Sequence, residues 1–124
     1  MTTVRAPTRR FEQRKSAIIV SAVDVLNRKG VRGMTLADVA TRLGLVPTGV
    51  IYYFKNKEEL ASACFLDGVE RYNALATAAA KGGDVRERLR LFLDAYFDLR
   101  RRIRLGDVPP LVAFNDVRAL DCAP

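Results

Sequence analysis

Thr48, Gly49, Tyr52 and Lys55 fall on one side of a helix at roughly 100° per residue, and Lys57 follows at once. Together they offer hydroxyls that hydrogen-bond, a ring with a polar tip, a glycine that admits a close backbone, and ammonium groups. That chemistry is suited to holding a polyanion rather than to making or breaking bonds. The chain has no histidine, so the commonest general base and the commonest metal ligand are both missing. Cys64 and Cys122 lie far apart without metal-ligand spacing and read as reduced thiols. No glycine-rich phosphate loop follows a strand pattern, and the acids fall mostly at helix caps or on polar faces. The sequence therefore predicts a non-enzyme, with no catalytic residue, no cofactor and no metal.

The charge is unevenly placed. The 124 residues carry a formal net charge of +7. Residues 1–57 hold 11 Lys or Arg against three acids (Glu12, Asp24, Asp38), a net +8, whereas residues 58–124 hold 10 against 11, a net −1. Such asymmetry points the first half at a polyanion, nucleic acid before an anionic membrane surface. A solvated basic surface that serves only solubility is the plain alternative. No apolar run approaches the roughly 18 residues a membrane span needs. The N-terminus has charge but no apolar signal core. Apart from Phe11 the basic start has nothing to insert into a bilayer. A cytoplasmic protein with no membrane partner is expected.

These side chains need helices to position them. Residues 1–12 read as a basic flexible tail with Arg9 and Arg10. From Gln13 to Lys29, Ile18, Ala22, Val25 and Leu26 make one apolar helical face, which Gly30 ends. Thr35 caps a short second helix, with Asp38 in the capping-box place and Gly44 as its stop. Pro47 opens a third, whose apolar strip is Pro47, Val50 and Phe54. Asn56-Lys57 breaks it. Glu58 and Glu59 start a fourth, which runs to the alanines before Gly82-Gly83. Asp84 and Glu87 form a capping box for a fifth helix, striped by Val85, Leu89, Phe92, Tyr96, Leu99 and Ile103. Leu111 to Leu120 begins a sixth. No strand alternation occurs, so the fold class is all-α.

Two short helices joined by Gly44-Leu45-Val46 form a helix-turn-helix pattern, with Lys55 and Lys57 as phosphate anchors beside it. From Ala22 to Leu60 the chain resembles the DNA-binding head of TetR-family transcriptional regulators. The resemblance is carried by Ala22, Leu26 and Gly30, by Met34-Thr35-Leu36, by Asp38-Val39-Ala40, and by Leu43-Gly44-Leu45. It ends in Tyr52-Tyr53-Phe54-Lys55-Asn56-Lys57-Glu58-Glu59-Leu60. It implies a three-helix, homeodomain-like head over residues 13–57, followed over 58–124 by the first, incomplete part of a helical effector-binding and dimerisation domain. It implies that Thr35 caps helix two near a phosphate and that Thr48 and Gly49 lie near base edges. Tyr52 and Tyr53 would touch the DNA backbone, Lys57 would bind a phosphate, and Phe54 and Leu60 would be core. Two positions depart from the family: Val46 stands where a Ser or Thr cap is usual, and Ile51 where a tyrosine is common.

The resemblance further implies a repressor that binds a palindromic operator as a homodimer in the intact protein and is released by a small apolar effector. The chain is short for the family and is expected to stop within the second domain, with most of the dimer interface absent. A head without that interface, binding DNA weakly and without sequence preference, is the alternative. Phe65, Val69, Tyr72, Phe92 and Tyr96 are the effector-pocket candidates; an aromatic stripe at helical spacing is more often the mark of a plain core. Arg100-Arg101-Arg102-Ile103-Arg104 offers a second basic patch, but cations at a helix C-terminus, one turn from Asp94 and Asp98, read more simply as a solvated helix end.

Overall fold

The computed structural model describes residues 8–120, in the order α1 (Arg9–Gly33), α2 (Leu36–Arg42), α3 (Pro47–Ile51), α4 (Lys57–Ala79), α5 (Val85–Arg104) and a 3-10 helix (Phe114–Ala119). The described residues contain no strand. Cys122 and the first seven residues of the expected tail lie outside them.

Local chemistry sets most boundaries. Thr35, Asn56 and Asp84 each accept, at their side chains, the N–H three residues on. Two of these caps are reciprocated: Glu59 Oε2 accepts the Lys55 N–H at 3.1 Å, and Glu87 Oε2 accepts the Gly83 N–H at 3.0 Å. At Gly30 the backbone takes φ 74°, which a side chain would strain. The main run of α1 ends there, and one further turn reaches Gly33. The expected tail is shorter than the sequence suggests. Thr8 Oγ1 accepts the Phe11 N–H at 3.1 Å, so Arg9 and Arg10 already lie in the first turn of α1.

One core joins α1, α2, α3 and the start of α4. It contains Ile18, Ala22, Leu26, Val39, Ala40, Val50, Phe54, Leu60, Ala61 and Cys64, all buried. It therefore runs through position 57 without a gap. Asp24 pairs with Arg42, and Lys29 with Asp38 at 3.3 Å, which ties α1 to α2 at the surface. Burial pushes the Cys64 thiol up to about 12, with the Asp67 charge adding to the effect, so it stays protonated at neutral pH.

After α5 the chain comes back to the head as an extended strap. The Asn27 side chain donates to the Leu111 carbonyl at 3.0 Å and accepts the Ala113 N–H at 2.8 Å. The Arg71 guanidinium donates to the carbonyls of Pro109 and Pro110 at 2.8 and 3.1 Å. This strap replaces the first part of the expected sixth helix; only Phe114–Ala119 turns, and as a 3-10 helix. The α5 stripe is present but not buried. Val85 and Leu89 are exposed, Phe92, Tyr96, Leu99 and Ile103 are half-buried, and no α5 residue is buried. The helix packs chiefly on α4, which covers one side only.

Candidate nucleic-acid interface

The turn between α2 and α3 is closed by backbone hydrogen bonds. The Leu45 N–H donates to Ala40 O at 2.9 Å and the Gly44 N–H to Thr41 O at 3.1 Å, with Gly44 at φ 67°. This is a Schellman C-cap, and it needs a residue tolerant of positive φ at position 44. Val46 then starts α3 in an extended conformation with no side-chain cap, and Pro47 takes the first turn.

α3 rests on Val50, which is fully buried, and on Phe54 beyond its end. Thr48 is exposed and Tyr52 is 75% exposed. Ile51 is 45% exposed. Tyr53 is half-buried against the core. The adjacent tyrosines thus divide between an outward ring and an inward one. Gly49 is half-buried, with room for a Cβ at 3.7 Å from Leu45 Cβ. It is less outward than a full helical wheel implies.

The helix is also shorter than the wheel assumes. It ends at Ile51, after which the N–H groups of Tyr53 and Phe54 both reach back to Val50 O, at 2.9 and 3.0 Å. Lys55 is therefore not on the helix. It is exposed in the bend that leads to α4. Five residues are too few for periodicity to mark the stop.

Around α3 the described cations are differently held. Lys57 is half-buried and its Nζ donates to Arg32 O at 3.3 Å, at the last turn of α1. Arg9, Arg10 and Arg14 are exposed along the start of α1 and make no ion pair among the described residues. Thr35 is exposed at the start of α2, with its Oγ1 accepting the Asp38 N–H at 3.0 Å. The Asp38 carboxyl is held below its ordinary value, first by its side-chain hydrogen bond with Thr35 and then by Lys29.

Sequence reasoning missed Phe11 and Lys15. The Phe11 ring lies 4.9 Å from Tyr53 and 6.2 Å from Tyr52, and Lys15 Nζ sits 5.6 Å over the Phe54 ring. A signal was present: Phe11, Lys15, Ile18 and Ala22 continue the core-facing stripe of α1 back to its start, behind the Thr8 cap.

The effector-pocket candidates do not form one chamber. Phe65 is buried, 5.7 Å from Phe114; Tyr72 stacks on Tyr96 at 6.3 Å; Phe92 is half-buried; Val69 is 43% exposed. A separate cavity of about 400 Å³ lies between α1, α4, α5 and the strap, lined among others by Ile19, Val23, Asp67, Arg71, Leu99 and Pro109. In the basic run at the end of α5, Arg101 pairs with Asp98 at 2.9 Å, while Asp94 pairs back to Arg90 at 3.5 Å. No cluster of three or more metal-ligating side chains occurs among the described residues. No helix among them is long and apolar enough to cross a membrane.

Residues 18–64 match the family described as bacterial regulatory proteins, tetR family. Among solved structures the chain is similar to the fatty acid degradation regulator FadR from Bacillus halodurans. The two are 21% identical with a TM-score of 0.62, over 77% of this chain and 49% of that one. It is also similar to PfmR, a TetR family transcriptional regulator from Thermus thermophilus. There the identity is 27% and the TM-score 0.58, over 73% of this chain and 46% of that one. The chain thus spans about half the length of these two structures.

Proposed function

We infer that this chain, a member of the tetR family of bacterial regulatory proteins through residues 18–64, binds double-stranded DNA as the head of a transcriptional repressor. Regulators of that family are DNA-binding, and generally repressors. The observation that carries the reading is α3 itself. It stands on one buried side chain, Val50, and leaves Thr48 and the Tyr52 ring exposed, with Lys55 and Lys57 following it in the chain. A helix so mounted suits a major groove about 12 Å wide.

In this reading Thr48 and Gly49 approach base edges, and Tyr52, Tyr53 and Thr35 meet the sugar-phosphate backbone. Lys55, Lys57, Arg9 and Arg10 neutralise phosphates. Contacts to phosphate position the head, and contacts to base edges choose the sequence. Residues 13–57 supply the head, and 58–124 begin the regulatory domain. In the intact protein two heads paired as a homodimer read half-sites roughly 34–36 Å apart in a palindromic operator. A small apolar effector releases the DNA by binding better to a conformation whose heads no longer fit, since a ligand shifts two states only through its differential affinity.

Selection of binders from a random duplex library at physiological salt, repeated as a titration across salt, tests this. An enriched palindrome is the expected result. Salt-sensitive binding without enrichment assigns the chain to the second reading, a head without a working dimer interface. Absence of binding even at low salt overturns DNA binding for this chain.

A further inference from the structure

The start of α1 and the end of α3 are joined by an aromatic triangle that the core does not require. Phe11 to Tyr53 measures 4.9 Å, Tyr52 to Tyr53 5.1 Å edge-on, and Phe11 to Tyr52 6.2 Å edge-on. Such offset and edge-to-face arrangements are those aromatic rings prefer. Phe11 is only half-buried and stands outside the buried cluster. Its neighbours Arg9 and Arg10 are exposed and unpaired among the described residues. The Thr8 cap makes the turn that carries them helical, and Lys15 over Phe54 fastens the next turn of α1 to the same stretch of chain. Free arginines on a frayed helix end would lose their reach to entropy; on a docked turn they keep one position relative to α3.

We propose that Phe11 is a positioning residue, which docks the first turn of α1 on Tyr52 and Tyr53 and so makes Arg9 and Arg10 a fixed extension of the DNA-contacting face of α3. This rests on the DNA-binding reading above. Phe11 itself touches no DNA. It acts by holding two cations and the Tyr52 ring in register.

Each fixed phosphate contact contributes about 0.9 to the slope of log affinity against log salt. Binding to a random-sequence duplex is therefore measured across salt for the wild-type chain, Phe11→Ala, Phe11→Tyr, an Arg9→Ala/Arg10→Ala double variant and the combination of all three alanines. The expected result is a slope lower by about two in the arginine variant. Phe11→Ala should give much of the same loss with the helical signal retained, and the arginine changes should add little to it. Phe11→Tyr, which keeps the ring, should restore the wild-type slope.

If Phe11→Ala keeps the full slope, or the arginine changes act equally with and without Phe11, the proposal is overturned while DNA binding stands. Should Phe11→Ala fail to fold, Phe11→Leu, which keeps the bulk without the ring, takes its place: a full slope there, or an unchanged slope in the arginine variant, refutes the proposal, and a lowered slope in both supports it. A wild-type chain that binds no duplex at any salt refutes it together with the reading beneath it.

Discussion

At the scale of single residues, two side chains make opposed predictions. Tyr52 is 75% exposed, and its contacts are ring edges rather than core. On the proposed reading Tyr52→Ala weakens DNA binding by roughly 1–3 kcal/mol, the cost of a lost hydrogen bond to a charged group. Melting should change by only about 0.5 kcal/mol, as surface substitutions do. A binding titration beside a thermal melt checks both, and a large fall in stability with little change in binding would assign the ring to packing. Asp38 is hydrogen-bonded to Thr35. Its carboxyl is held low by Thr35 and then Lys29, so its folded value lies below its unfolded one. The stability it supplies is present above the ordinary carboxylate value near pH 3.9, and is lost as pH falls through the lowered value. Asp38→Asn should accordingly flatten the acid side of the melting curve below about pH 4 and leave the neutral region with the smaller stability of a chain lacking that charge. Melts across the acid range, in which the two proteins fall in parallel, would remove Asp38 from the acid response.

At the scale of elements, α3 is the weak member. Its neighbours α2 and α4 have side-chain caps in Thr35 and Asn56, whereas Val46 gives α3 none. Val46 is 65% exposed and already extended at φ −83° and ψ 156°, as an N-cap must be. Val46→Thr should therefore stabilise the chain by about 1 kcal/mol, read as a rise in melting temperature of several degrees. An unchanged melting temperature would mean that the Gly49 N–H, which already donates to Val46 O at 2.9 Å, gains nothing from a side-chain acceptor. α5 shows the reverse case. Its caps at Asp84 and Glu87 and its apolar stripe were legible in the sequence, yet none of its residues is more than half-buried. Local signals specify that a helix forms; they do not specify that something covers it.

At the scale of the whole molecule, the strap from Pro109 to Ala113 is the link between α5 and the head. Asn27 and Arg71 hold it by four hydrogen bonds across sequence separations of 38 to 86 residues. Gly68 in α4 is what lets it lie close: a Cβ there would come 2.8 Å from Phe114 Cζ and 3.1 Å from Val112 Cγ1. Phe114 is itself packed on Phe65 and Tyr72, so its ring has little freedom to withdraw. Gly68→Ala gains helix propensity of up to about 1 kcal/mol but overpacks this contact by about 1–3 kcal/mol. A net loss of stability is expected by chemical denaturation. A gain would show that the strap is held loosely enough to yield.

The all-α class, the caps at Thr35 and Asp84, the stops at Gly30 and Gly44, and the outward Tyr52 were open to reading from the residues alone. Each depends on partners three to five positions away, so the sequence carries the whole interaction. The resemblance from Ala22 to Leu60 rests on the same local features. Tertiary structure decided what depends on distant partners. Phe11 packs on Tyr52 and Tyr53, more than 40 residues along the chain. Lys57 meets the Arg32 carbonyl 25 residues back, and the strap takes the place of the start of a sixth helix. In each case a contact closed over a long loop outweighs a local preference of a few tenths of a kcal/mol, which no period or cap reports.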